Sequence, residues 1–374
     1  MWDVIRRWKT ATVMEIEDNV PGMQYVKVKK QGDDKEEKAI HYTDECEALQ
    51  EGDKVILNTT AVELSLGSGG YHYVAWKINE LPPDVPLKGH IMKLRYTPWQ
   101  GSVLAVEEPA SPYHNVIKNK MSIDGMPVLA GELHSMLPIL TTSLQYLANQ
   151  HGHRLRLAYV MTDGAALPIH FSRHVQRLRA LNWLVGTVTV GHAYGGDLEA
   201  VNVYSGLLAA KHVLNADVTI VLMGPGIVGT GTVYGFSGIE QGQTVNAVSA
   251  LAGIPIVVPR ISFADSRSRH KGISHHTLTN LTRVMMCSAR IPYPTLVPPA
   301  RQDVIDQQIA QLKHTTHVLH DWIPVSLSEA ELKERLEQYP FNITSMGRGL
   351  SEDPAFFYGV SCAADVAWSV INGA

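Results

Sequence analysis

The densest concentration of groups able to do chemistry is "SFADSRSRHKGISHH", residues 262–276. Arg267 and Arg269 could clamp a carboxylate or a phosphate, because planar guanidinium forks match those anions. His270, His275 and His276 could act as acid–base groups or as metal ligands, since imidazole titrates near neutrality and coordinates transition metals. The spacing H-x4-H-H matches no strong metal signature of the H-E-x-x-H kind. A metal would therefore need ligands from other loops, with His134, His192 and Asp163 as candidates. Three readings stay open for the segment: a solvated surface, an anion clamp, or part of a metal site.

A second stretch invites a nucleotide reading. In "DVTIVLMGPGIVGTGTVYGFSGIEQG", residues 217–242, Gly224, Gly226 and Gly229 spell G-x-G-x-x-G after an apolar run. A dinucleotide fingerprint needs a strand before it, a helix opening inside it, and an acidic residue about 20 positions on. The strand pattern is present, but helical pattern resumes only near Gln243. Asp265 is too distant to serve as the acid, and Pro225 removes one backbone donor. The loop offers instead exposed N–H groups which, with the Thr230 and Thr232 hydroxyls, could form an anion-binding nest. The competing reading is a glycine-rich crossing over the sheet edge.

Both stretches need elements to hold them. From residue 89 onward short apolar runs alternate with helix-length segments. "PVLAG" precedes "SMLPILTTSLQYLANQ", "LRLAYVMT" precedes "ALPIHFSRHVQRLRALN", and "LVGTVTVG" precedes "DLEAVNVYSGLLAAKHVL". "DVTIVLM" leads into the glycine-rich loop and "GQTVNAVSALAG", and "IPIVVPRI" follows. This grammar predicts an α/β domain over 89–374: a mostly parallel sheet with helices on both faces. Ligands of such sheets sit beyond the carboxyl ends of the strands. The residues there are polar: Glu132 and His134, Asp163, His192 and Asp197, Thr230 and Thr232, then the cluster from Asp265 to His276. Polar loops also arise simply because loops face water. Asp197 stands where an N-cap of "LEAVNVYSGLLAAKHVL" belongs, and Glu199 would favour the same helix dipole. Near the end, helix, helix, strand ("FNITSM") and helix are expected, with Ser328 and Glu331 forming a capping box.

Residues 1 to about 88 read differently. "TATVMEIED", "MQYVKVKK", "KAIHYT", "DKVILNTTAVEL" and "YHYVAWKIN" are short β-type runs divided by turn signals. They predict a small all-β domain, barrel or sandwich, joined through the proline-rich "ELPPDVPLKG".

Composition bounds the function classes. A net charge of −4 gives no electrostatic footprint for nucleic-acid binding. Neither a signal peptide nor an uncharged apolar run of membrane-span length is expected. Cys46, Cys287 and Cys362 lie far apart, which suits a reducing cytoplasm. Cys287 in "VMMCSAR" reads as core, "GFSG" is not a nucleophile elbow, and His314, His317 and His320 drift around a helix as surface residues. The sequence leaves cofactor content and a homo-oligomer open.

The strings "VMTDGAALP", "GGDLEAV", "GPGIVGTGTVYGFSG", "RSRHKGISHH" and "TSMGRGLSEDPAFF", with "GDKVILNTTAVELSLGSGG" and "GHIMKLRYTP", resemble a bacterial domain-of-unknown-function family found largely in Gram-positive bacteria. The resemblance runs nearly end to end and implies no activity. "LRYTPWQGSVLAVEEP" and "GLLAAKHVLNADVTIVLMGPG" faintly resemble the proprotein subunit of glycine and proline reductase complexes. That family self-cleaves at a cysteine to make a pyruvoyl group. This chain has no cysteine between Cys46 and Cys287, so the likeness implies at most a shared fold without the cofactor.

The expectation is thus an enzyme or binder of a small anionic metabolite at the strand ends. Gly224, Gly226, Gly229, Thr230, Thr232, Arg267, Arg269 and His270 would bind it, and His134, Asp163, His192 and His275 would supply acid–base groups. The rival is a scaffold that uses the same surface for a partner.

Overall fold

The computed structural model describes residues 6–43, 46–81, 86–295 and 299–373. The middle of the expected linker, 82–85, and the side chain of His314 lie outside the described residues. The chain divides into two compact units, Met1–Leu87 and Lys88–Ala374.

The first unit is a closed five-stranded barrel in the order β1-β2-β3-β5-β4. Its strands are β1 (Trp8–Val20), β2 (Met23–Lys30), β3 (Glu36–Tyr42), β4 (Lys54–Asn58) and β5 (Tyr71–Lys77). Val13, Val26, Val28, Val55 and Leu57 fill the interior together with three alanine and leucine neighbours, Ala11, Ala39 and Leu49. Pairing of β1 with β4 closes the ring, which leaves no sheet edge to template association. The run after β4 is not extended: Thr60–Glu63 form a short helix, α1.

The second unit opens with a hairpin of β6 (Ile91–Lys93) and β7 (Gly101–Val103) and a short helix α2 (His114–Ile117). There follow β8 (Pro127–Ala130), α3 (Met136–Gln150), β9 (Leu157–Thr162), α4 (Arg173–Ala180), β10 (Gly186–Val190), β11 (Leu198–Ala200) and α5 (Val203–His212). Then come β12 (Val218–Met223), α6 (Glu240–Ala250), β13 (Ile254–Val257), a small hairpin of β14 (Ile261–Ser262) and β15 (Gly272–Ile273), and α7 (His275–Thr279). The chain ends with β16 (Arg290–Pro294), α8 (Pro299–Thr315), β17 (Asp321–Val325), α9 (Glu329–Glu337) and α10 (Pro354–Ile371). The main sheet has eight parallel strands in the order β11-β10-β9-β12-β8-β13-β16-β17.

The lack of alternation in the apolar runs now has its cause. On one face Leu157, Tyr159, Met161, Ile220 and Leu222 pack against α3 and α10; on the other Ala158, Val160 and Val221 pack against α5 and α6. A strand buried on both sides has no polar face to show. The helices after neighbouring strands β8 and β12, α3 and α6, therefore cover opposite faces. That divergence falls at the strand carboxyl ends, where such sheets bind ligands.

Three expectations change. Asp197 is not a helix cap: Leu198–Ala200 pair with β10 as a strand, and the helix starts five residues later behind Asn202. Asn202 accepts from Tyr204 and Ser205 N–H groups and closes a capping box with Ser205. Asp197 instead pairs with Arg179 and accepts from the Thr187 N–H and hydroxyl, both at 2.9 Å. "FNITSM" is no strand; its place at the sheet edge is taken by β17. Ser328 does cap α9 by accepting from the Glu331 N–H, but the Glu331 carboxylate turns to Arg335. The helix α10 has the length and apolarity of a membrane span, yet it is the buried core helix of this unit, and its Asp365 pairs with the buried Arg335 of α9.

Candidate ligand site at the strand carboxyl ends

Three loops meet beyond the ends of β8, β12 and β13. The β8 loop supplies Glu132, which is 1% exposed. The β13 loop supplies Arg260 and, through the β14–β15 hairpin, His270, His275 and His276. That hairpin is pinned by Ile261 and Ile273 against Ile305, Ile309 and Ala355, so its polar tip is held on an apolar base. Ser274 caps α7 by accepting from the His276 N–H, which places the two consecutive imidazoles at the helix start. The β12 loop is the glycine-rich stretch.

The contacts between the loops are specific. His276 Nδ1 lies 3.2 Å from a Glu132 carboxylate oxygen. Phe236 of the glycine-rich loop stacks on the His276 ring at 4.1 Å between centroids. A Cβ at Gly229 would stand 3.4 Å from His276 Nε2, and one at Gly231 would stand 3.1 Å from the Arg269 guanidinium. Gly231 also has φ +80°, the left-handed region where a side chain is strained. Gly238 runs so close that an added Cβ would be 3.0 Å from the Glu132 side chain. Glycine at these positions is what lets the loop lie on the imidazoles.

Beneath this the strand ends are closed over by Glu132, Thr162, Met223, Gly238, Glu240 and Gln241, which leave no water-sized space between them. The buried Gln241 amide donates to the Ala130 and Val258 carbonyls, at 2.9 and 3.0 Å, where β8 and β13 end. Glu240 accepts from the Thr162 hydroxyl at 2.6 Å. Burial raises its carboxyl above the usual range, and the charge of Asp163 adds to that.

The electrostatics favour neutral imidazoles. Burial, then the charges of Arg260 and Arg267, push His270 down to about 3. His275 is lowered by burial and by His276 and Arg269. Around them lie four guanidiniums and, with Glu132, three carboxylates. Arg267 forks onto Asp265 at 2.8 and 2.9 Å, Arg260 reaches the same carboxylate at 3.4 Å, and Arg348 lies 4.0 Å from it and 3.5 Å from Asp353. Hydrogen bonds from Arg267 hold Asp265 well below the usual carboxylate range. Among the described residues Arg269 has no carboxylate partner.

The expected site residues therefore divide. His270, His275, Arg269 and Gly229 are brought together. Arg267 is close by but committed to Asp265. Thr230 and Thr232 tie the loop to itself: their hydroxyls meet at 3.0 Å, and Thr230 also bonds the Gly235 carbonyl. Gly224 and Gly226 lie at the start of the loop against Ala165, away from the imidazoles. His134 is half-buried, with Nε2 2.5 Å from the Ser172 hydroxyl and Nδ1 3.2 Å from the Tyr159 hydroxyl. Asp163 and His192 join the β9 and β10 loops, the carboxylate accepting from the His192 N–H at 2.9 Å. The His192 ring accepts from the Leu94 N–H at 3.0 Å. Sequence reasoning missed Arg260, Glu240, Ser274 and Phe236. Arg260 is hidden in an apolar run, and Glu240 is the first residue of α6, whose helical pattern shows in the sequence only from near Gln243.

A comparison with curated proteins finds no match, and the fainter likeness to the reductase-complex proprotein gains no support. A family model described as "Protein of unknown function (DUF3866)" matches residues 38–364, a range that contains every residue of this cluster. The chain belongs to that family.

Proposed function

We propose that the chain binds a small anionic metabolite at the surface where the β8, β12 and β13 loops meet. The observation that carries this reading is the convergence itself: Glu132 of the β8 loop meets His276 of the segment that also carries Arg269 and His275, and Phe236 and Gly231 of the glycine-rich loop pack against His276 and Arg269. Arg269 supplies the anion contact, since its guanidinium has no carboxylate to neutralise it. His275, half-buried and the least enclosed of the three imidazoles, is the ring an entering ligand meets first. A substrate with a carboxylate or a phosphate fits the one guanidinium, Arg269, that has no carboxylate beside it among the described residues.

The test is a thermal-shift panel of carboxylate and phosphate metabolites on the full chain. A ligand at a hundredfold excess over its Kd raises Tm by roughly 3–6 °C. Arg269→Ala abolishes that shift. Arg154→Ala, an exposed arginine at the opposite end of β9, keeps it. No shift with any anion, or an equal shift in Arg269→Ala, would overturn the reading.

One observation favours the partner-binding alternative. The tip of the same loop exposes Val228, Val233 and Tyr234, at 64%, 58% and 57%. An apolar tip of this kind is a usual feature of docking surfaces. If Val233→Ser with Tyr234→Ser removes a self-association or a co-purifying partner while the panel stays silent, this second reading replaces the first.

A further inference from the structure

We propose that His270, His275 and His276 form a three-imidazole site for a divalent transition-metal ion, with the Glu132 carboxylate at its side. One ring nitrogen from each histidine lies within 4.8 Å of those of the other two. Metal–imidazole bonds of about 2.0–2.1 Å place the nitrogens of a tetrahedral site roughly 3.4 Å apart. Small ring shifts close the remaining gap. The ring centroids already stand 4.3 to 5.1 Å apart in all three pairs.

The second observation is independent of spacing. His275 Nε2, His276 Nδ1 and both Glu132 carboxylate oxygens are buried and have no hydrogen-bond partner among the described residues. Buried polar atoms are nearly always satisfied. Of these, His276 Nδ1 and one Glu132 oxygen stand 3.2 Å apart, while His275 Nε2 and the other Glu132 oxygen have no hydrogen-bond partner among the described residues; all are ligand types that a cation can serve. Imidazole nitrogen is a donor that suits zinc, iron, copper and nickel.

The surroundings are those of a ligand set. His270 Nδ1 lies 2.8 Å from the Ser274 hydroxyl. In the tautomer in which Nδ1–H donates to that oxygen, the Nε2 lone pair is free to coordinate, which is how outer-shell partners orient metal-bound histidines. Phe236 fixes the plane of His276 by stacking on it. His275 is the least buried of the three rings, so the open coordination positions face the side from which a ligand enters. A three-histidine set with open positions is the arrangement of catalytic rather than structural metal sites. The site stands apart from the anion reading, because it is loaded and measured with no metabolite present.

The experiment uses the full chain without a polyhistidine tag, stripped with chelator and titrated with cobalt(II). Binding is read from visible d–d absorption and from metal content after gel filtration. One cobalt per chain is expected, displaced by zinc. His275→Ala and His276→Ala lose the stoichiometric ion. Ser274→Ala and Glu132→Gln keep the stoichiometry with an affinity about 10–100-fold weaker. His317→Ala, which removes an exposed imidazole, binds as the wild type does. Circular dichroism confirms that each variant is folded. Should His276→Ala not fold, the half-buried His275 and the Glu132→Gln titration still decide. The proposal is overturned if the wild type retains no stoichiometric cobalt, or if His275→Ala retains it fully.

Discussion

At the residue scale the histidines separate into two kinds. His134 is a natural candidate because it follows a strand end, but its half-buried ring is tied to the Ser172 and Tyr159 hydroxyls. Burial lowers it from 6.5 to about 3, so it stays neutral in the fold. In the unfolded chain it takes up a proton near pH 6.5. Below that pH the unfolded state binds the extra proton, so stability is present above about 6.5 and lost as pH falls toward 3. Between about pH 7 and about pH 5 the loss from this one group is about 2 kcal/mol. Urea unfolding at the two pH values measures it, and His134→Gln flattens the dependence by that amount. An unchanged slope in the variant would show that His134 is not the neutral base described. The types of His270, His275 and His276 were legible as chemistry, as was Glu132 at a strand end. What was not legible is that Glu132 faces His276, because 144 positions of chain separate contributions that only the sheet order brings together.

At the element scale most strands were visible as β-branched runs, and the misses have physical causes. β16 and β17 contain Pro292, Pro294 and Pro324, which argue against a strand. They are tolerated because β16 pairs with β13 only at Arg290, so beyond that point only its β17 side is bonded. "DLEAV" reads as part of the helix because Asp197 has the chemistry of a cap. The side chain of Asp197 instead serves Thr187 and Arg179, and the capping role passes to Asn202. Asn202→Ala therefore costs about 1 kcal/mol in denaturant unfolding, close to the usual value for a lost N-cap. The same change restricted to the helix is seen as faster hydrogen exchange over Tyr204–Leu207. If Asp197→Ala rather than Asn202→Ala loosened those amides, the placement of the helix start would be wrong.

At the scale of the whole molecule, the division into a barrel and a parallel α/β unit could be read from the change of grammar near residue 88. The sheet's strand order could not, since β12 returns between β9 and β8 and β13 crosses to the far side of β8. That order decides which loops meet. It joins the glycine-rich loop, Glu132 and the "RSRHKGISHH" segment, and leaves Asp163 and His192 on the other side of β12. The most direct measurement of this claim is NMR of the imidazole nitrogens in the full chain, titrated with the anion that gives the largest thermal shift. The account predicts that the His275 and His276 resonances move with saturation while those of His134 and His192 stay in place. Movement at His192 with the His275–His276 pair undisturbed would contradict it.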